Sequence, residues 1–370
     1  MRQKMSNELK LLSKVELGAL SLKNRMVMAP LTRMRALEGD VCNPLAKLYY
    51  GQRAGAGLII TEATQVSPLG KGYPATPGIY SEAQTKAWAE VVGAVHEKGG
   101  KIVAQLWHVG RISHSTLHPE EGLPIAPSAI APSGKLMDAN WKGVPYETPR
   151  EMTTEDVDKV INQFKVAAAN AKTAGFDGVE IHGANGYLLD QFLQDATNKR
   201  TDQFGGDFAG RARLLIEIIK AVSSVYPLSQ IGVRLSPFGT FNEVSDSDTK
   251  GLFTYVLNEL NQFNLAYVHL IEPRATTAGG NDATNTEAPL TSEMFRAVYK
   301  GNLISAGGYT KESGEAALNA NLADAIAYGR LYISNPDLEK RFEYGSALNR
   351  YDRSTFYGGS DKGYTDYPSL

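Results

Sequence analysis

The stretch Gly178–Gln194, GVEIHGANGYLLDQFLQ, changes its periodicity halfway along. Val179, Glu180 and Ile181 open it as a buried strand, whereas Leu188, Leu189, Phe192 and Leu193 carry helical spacing. Between the two stand His182, Asn185 and Tyr187, an imidazole, an amide and a phenol crowded into one turn. A strand that feeds directly into a helix is the unit of a parallel sheet with crossover helices, and the same transition recurs along the chain. Short apolar runs also begin at Arg25 (RMVMAPLT), Leu58 (LIITEA), Ile102 (IVAQLWH), Ile231 (IGVRLSP), Tyr267 (YVHLIEP), Leu303 (LISAGG) and Ala325 (AIAYGR). Amphipathic stretches separate them, one opening at Ser81 and one at Thr153, where Thr153–Thr154 ahead of Glu155 and Asp156 suits a helix start. Eight β-then-α units predict a closed (β/α)8 TIM barrel. A doubly wound open sheet should place a glycine-rich turn after a strand and before a helix. The one comparable stretch, RAGAGLIITEA, has Gly55 and Gly57 ahead of its strand, so the barrel is preferred.

The chain is read as one barrel domain over residues 1–370 with additions. KVELGALSLKN, from Lys14, has the look of a hairpin that could plug the barrel bottom. A Pro- and Gly-rich excursion runs from about residue 112 to 152 after the third strand, and a polar loop spans Glu272–Leu290 after the sixth. The tail from Tyr351 to Leu370 is rich in Gly and Tyr. Long loops at strand C-terminal ends are expected as lids, because barrel enzymes build their sites there.

Composition narrows the function. With 38 basic and 40 acidic residues the net charge is −2, and no Lys/Arg block points to nucleic acid. Cys42, the single cysteine, excludes a disulfide framework and a cysteine-ligated metal or cluster. No apolar run is long enough for a membrane span, and the charged stretch MRQKMSNELKLLSK lacks the apolar core of a secretory signal, so a cytoplasmic protein is expected.

The strand ends carry the chemistry. Branched aliphatic residues are the usual filling of a barrel, so Gln105, His182 and Arg234 are costly there without partners. Either they satisfy one another in a structural network, or a planar polar ligand lies across the mouth. Gly307, Gly308 and Gly329, with Arg330, end the last two strands, where barrels often bind phosphate through backbone N–H groups. An amide such as Gln105 matches the alternating N–H and C=O edge of a flavin, Arg234 could stabilise its anion, and Thr32 could reach a flavin carbonyl. Together these make an FMN site plausible. A flavin-free sugar-phosphate aldolase or isomerase is the alternative, but it should show a strand-end lysine or carboxylate pair. A non-enzymatic binding barrel gives no reason for Tyr187 to follow Asn185.

The segments NRMVMAPLTRMRA, QLWHVGR, EIHGANGYLLDQFLQDATNKRTDQFGGD, ISAGGYT, YGRLYISNPDL and FYGGSDKGYTDYP, in this order, resemble the old yellow enzyme family of flavin-dependent ene-reductases over nearly the whole chain. The resemblance implies tightly bound, non-covalent FMN held by Ala29, Pro30, Thr32, Ala63, Gln105, His182, Arg234, Gly307, Gly308, Gly329 and Arg330. It implies His182 and Asn185 as the pair that binds the activating oxygen of the substrate, Tyr187 as proton donor, and Trp107 and Tyr357 as cavity walls. NADH or NADPH would reduce flavin N5, leave, and be followed by an α,β-unsaturated carbonyl or nitro compound, with phenols as ligands of the same oxygen site. Asn185 and Thr32 place the chain with the H-x-x-N branch rather than the one with H-x-x-H. No metal is expected, since His108, His114 and His118 lie in a Pro-containing loop with irregular spacing and no cysteine nearby. His269 is expected to be a satisfied core histidine, and Arg200 and Asp202 to brace the turn after the fourth strand.

Overall fold

The eight short apolar runs pair into one closed, fully parallel sheet. The strands, labelled β1 to β8, are Met26–Met28, Leu58–Ile60, Ile102–Trp107, Gly178–Gly183, Ile231–Leu235, Tyr267–Ile271, Leu303–Ala306 and Ala325–Tyr328. Each pairs with the next in sequence, and β8 returns to β1, which closes the barrel. The computed structural model describes residues 9–275, 283, 285 and 287–370, so part of the expected Glu272–Leu290 loop lies outside the described residues.

Helices cover the outside because their starts are coded locally. Ser81 and Thr153 are N-caps with full capping boxes, closed by Gln84 and Asp156. The helices Glu82–His96 and Thr154–Thr173 bury Trp88, Val92, Val160 and Phe164 against the barrel wall. Among the described residues no helix is long and apolar enough to cross a membrane.

Two additions set the ends of the barrel. At the bottom, Val15–Leu17 and Leu20–Leu22 form an antiparallel hairpin whose Leu17, Leu20 and Leu22 join Val27, Leu58, Val103 and Ile304 in one buried cluster. The hairpin turns at Gly18 (φ +59°), where a Cβ would meet the Ser229 carbonyl oxygen at 2.4 Å, so only glycine fits. At the top, the excursion after β3 is ordered into a parallel pair, Ile125–Ala126 with Arg150–Glu151, and a hairpin, Lys135–Met137 with Gly143–Pro145. The tail crosses the same end. Arg33 donates to the Phe356 and Gly363 carbonyls at 2.9 and 2.7 Å, and Arg35 to those of Thr355 and Ser360 at 2.9 and 3.0 Å.

Candidate active site

A cavity of about 620 Å3 opens at the C-terminal ends of the strands. All fifteen residues singled out from the sequence line it: Ala29, Pro30, Thr32, Ala63, Gln105, Trp107, His182, Asn185, Tyr187, Arg234, Gly307, Gly308, Gly329, Arg330 and Tyr357. Tyr357 stands at the rim, 51% exposed. No lysine lines the cavity among the described residues. The strand-end acids are committed elsewhere: Glu62 accepts from the Arg33 N–H at 3.0 Å, and Glu272 accepts from Thr291 and Ser292. Among the described residues this mouth therefore holds no aldolase lysine and no free carboxylate pair. The described residues also contain no group of three or more His, Cys, Asp or Glu that could hold a metal ion.

The turn after β4 is built to present side chains. Asn185 adopts φ +58°, a left-handed conformation that Asn tolerates better than most residues. Its N–H donates to Ser236 Oγ at 2.8 Å and its carbonyl accepts from Asn242 Nδ2 at 2.9 Å. Gly186 (φ +70°) donates to Asp190 at 2.8 Å, and a Cβ there would lie 2.3 Å from the Phe241 carbonyl oxygen. With its backbone groups bonded in this way, the turn leaves the Asn185 and Tyr187 side chains on the cavity wall beside His182.

Burial sets the proton states. Burial, then the charge of Arg234, hold His182 well below the usual imidazole range, so it is neutral at pH 7. Burial pushes the Tyr187 phenol up, so it keeps its proton. Its hydroxyl lies 3.0 Å from that of Tyr73, and Trp107 meets its ring edge-on with centroids 5.1 Å apart. Tyr73 is a cavity residue that sequence reasoning missed, since GKGYPATPG is a loop without periodicity.

Two sets of groups test the fit of a flavin. His182 Nδ1, Arg234 Nε and Trp107 Nε1 are buried with no partner in the protein, and such groups are normally satisfied. On the opposite wall, Gly307 has φ +125°, and a Cβ there would sit 2.9 Å from that of Glu272. Gly307 and Gly308 leave backbone open to the cavity just ahead of the helix Lys311–Asn319. A ligand with a polar planar edge at one wall and a phosphate at the other matches both sets, so the residues present fit FMN.

Other readings resolve differently. His269 gives Nδ1 to Glu180 at 2.9 Å, but its Nε2 has no partner, so it is half satisfied. Arg200 bonds Asp202 and also reaches the Pro127 and Met152 carbonyls, tying the turn after β4 to the excursion.

Known proteins share this fold. The NADH:flavin oxidoreductase / NADH oxidase family model matches residues 10–349. The chain is 44% identical to 12-oxophytodienoate reductase 1 of Oryza sativa subsp. japonica, over 97% of this chain and 93% of that one. A solved structure of morphinone reductase in complex with tetrahydroNAD superposes with a TM-score of 0.90 at 44% identity, covering 97% of each chain. The old yellow enzyme homologue from Zymomonas mobilis gives a TM-score of 0.92 at 40% identity, covering 98% of this chain and 100% of that one.

Proposed function

The chain belongs to the NADH:flavin oxidoreductase / NADH oxidase family, the old yellow enzymes, and from that premise we propose how its own residues serve an FMN-dependent NAD(P)H ene-reductase. The observation that carries the reading is the meeting, in one cavity, of unpartnered His182 and Arg234 nitrogens with the glycine wall of β7 and β8.

Ala29, Pro30, Thr32, Ala63, Gln105, His182 and Arg234 would hold the flavin ring, and Gly307, Gly308, Gly329 and Arg330 its phosphate. When bound, FMN would supply the redox chemistry, a hydride relay between NADH or NADPH and an activated C=C bond. His182, neutral and short of a partner, and Asn185 donate hydrogen bonds to the carbonyl or nitro oxygen of the substrate. Negative charge grows on that oxygen as hydride arrives at the β-carbon, so these donors act most strongly in the transition state. Tyr187, protonated at neutral pH, gives its proton to the α-carbon. The Tyr73 hydroxyl can then donate to the oxygen left on Tyr187 and stabilise the charge there. Trp107, Tyr73 and Tyr357 form an aromatic surround suited to cyclic enones, and a phenol would bind as a mimic of the enolate.

The test is the visible spectrum of the purified protein, recorded anaerobically before and after NADPH and then cyclohexenone. A flavin band that bleaches with NADPH and returns with the enone supports the reading. A colourless protein that cannot be reconstituted with FMN overturns it.

A further inference from the structure

The scheme above leaves unused a carboxylate buried inside the barrel. Glu180 on β4 has no solvent exposure. One oxygen accepts from Gln105 Nε2 at 2.7 Å, and the other is bonded to His269 Nδ1 at 2.9 Å. Strand register builds this contact: Glu180 lies opposite Gln105, His182 opposite Arg234, and Arg234 opposite His269. Tyr267 is the other titratable group facing it.

Two consequences follow for the cavity. The first concerns the amide. With Nε2 held by a carboxylate, Gln105 cannot flip without setting its carbonyl oxygen against the negative charge. The carbonyl end is therefore left for the cavity that Gln105 lines, where it accepts from an N–H such as the imide of a flavin. The second concerns charge. Burial and neighbouring positive charge keep His182 and His269 neutral, so Arg234 is the cation of this inner cluster and Glu180 its counter-charge. Burial raises the Glu180 carboxyl, but the hydrogen bonds from His269 and Gln105 and the charge of Arg234 together outweigh it and keep the group ionised. A buried guanidinium without such a partner would be strongly disfavoured.

We propose that Glu180 is a positioning residue for the cofactor: it fixes the orientation of the Gln105 amide and offsets Arg234, and so sets how strongly the site favours reduced over oxidised FMN. This rests on the flavin site proposed above.

The test is Glu180→Gln in the full chain, read by FMN titration of the apoprotein and by the reduction potential of the bound flavin. Glutamine keeps the shape, can accept from Gln105, and can donate to His269 in its other tautomer, so the barrel can fold. Loss of one negative charge should raise the potential. The ratio of affinities should shift toward reduced FMN by about tenfold, the size of a charge interaction over roughly 12 Å at an effective dielectric near 20. A folded variant with unchanged potential and affinity overturns the role. Should Glu180→Gln not fold, Glu180→Asp carries the test. It retains the charge but retracts from Gln105, so binding of oxidised FMN weakens while the potential stays close to wild type, and unchanged binding overturns the role. A wild-type chain that binds no FMN would remove the flavin site itself. Wild-type binding with an indifferent Glu180→Gln would remove only the part given to Glu180.

Discussion

The two halves of the barrel wall are made of different material. From β3 to β6 the inner layers hold Gln105, Glu180, His182, Arg234, Tyr267 and His269, bonded or electrostatically coupled to one another. Across β7, β8, β1 and β2 the interior is Ile304, Ala306, Ala325, Ala327, Val27, Ala29, Leu58 and Ile60. The aliphatic half meets the cavity at Thr32, Ala63 and Arg330 and at Gly307, Gly308 and Gly329, where absent side chains admit a ligand. The polar half reaches it through side chains whose proton states are set by burial. The contrast teaches a division of labour: backbone holds, and side chains respond to charge as it moves.

The strongest way to break that division is the double substitution H182A/N185A on the polar side. Two donors that act on the developing oxyanion are lost together. Reoxidation by cyclohexenone should slow by about 10³-fold or more, given 10²–10³ for a single such donor. Reduction by NADPH should change far less, because no oxyanion forms in that step. Stopped-flow measurement of the two half-reactions decides. Equal slowing of both would mean that this wall serves the flavin alone.

On the glycine side the expected effect is smaller and of another kind. Gly307→Ala puts a Cβ at φ +125°, within 3.0 Å of the Glu272 carbonyl oxygen. Such strain costs about 1–3 kcal/mol, so FMN affinity should fall by roughly tenfold to a hundredfold. The protein that still carries FMN should reoxidise at nearly the wild-type rate. A variant with normal affinity but slow reoxidation would reverse the roles given to the two halves.

The halves also differ in how far they could be read from sequence. All eight strands, the hairpin below the barrel and the helix starts follow from local period and capping, which nearby residues determine. His182, Gln105 and Arg234 stood out because polar side chains are costly at positions where a barrel wants aliphatic ones. Glu180 did not stand out. Within GVEIHGA it passes for the polar member of an alternation, and its meaning appears only when Gln105 and His269 come beside it from β3 and β6. Tyr73 was hidden for a similar reason, since its partner Tyr187 is 114 residues away. The grip of Arg33 and Arg35 on the tail joins residues more than 300 apart by side chain to backbone carbonyl, a contact that leaves no residue-type signal on the acceptor.

The finest comparison sets one buried carboxyl from each half against the other. Glu62 holds the backbone after β1 through the Arg33 N–H, and Asp190 holds the turn after β4 through the Gly186 N–H. Burial lifts Glu62 from 4.5 to about 7, and Asp190 from 3.8 to about 6, despite the hydrogen bonds each accepts. Both folded-state values lie above the unfolded ones, so the native chain binds more protons than the unfolded chain between them. Stability from these groups is therefore complete below the unfolded values and is lost as pH rises through about 7 for Glu62 and about 6 for Asp190. Between pH 5 and pH 7 each should withdraw roughly 1–2 kcal/mol. Glu62→Gln and Asp190→Asn remove the titration while keeping an acceptor for the same N–H. In denaturant melts of the FMN-loaded protein at several pH values, each variant should lose its own share of the slope. Asp190→Asn should flatten mainly the stretch below about pH 6, and Glu62→Gln the stretch up to about pH 7. Slopes identical to wild type in both variants would show that neither carboxyl holds its loop in the protonated form, and that the hydrogen bonds they accept outweigh their burial.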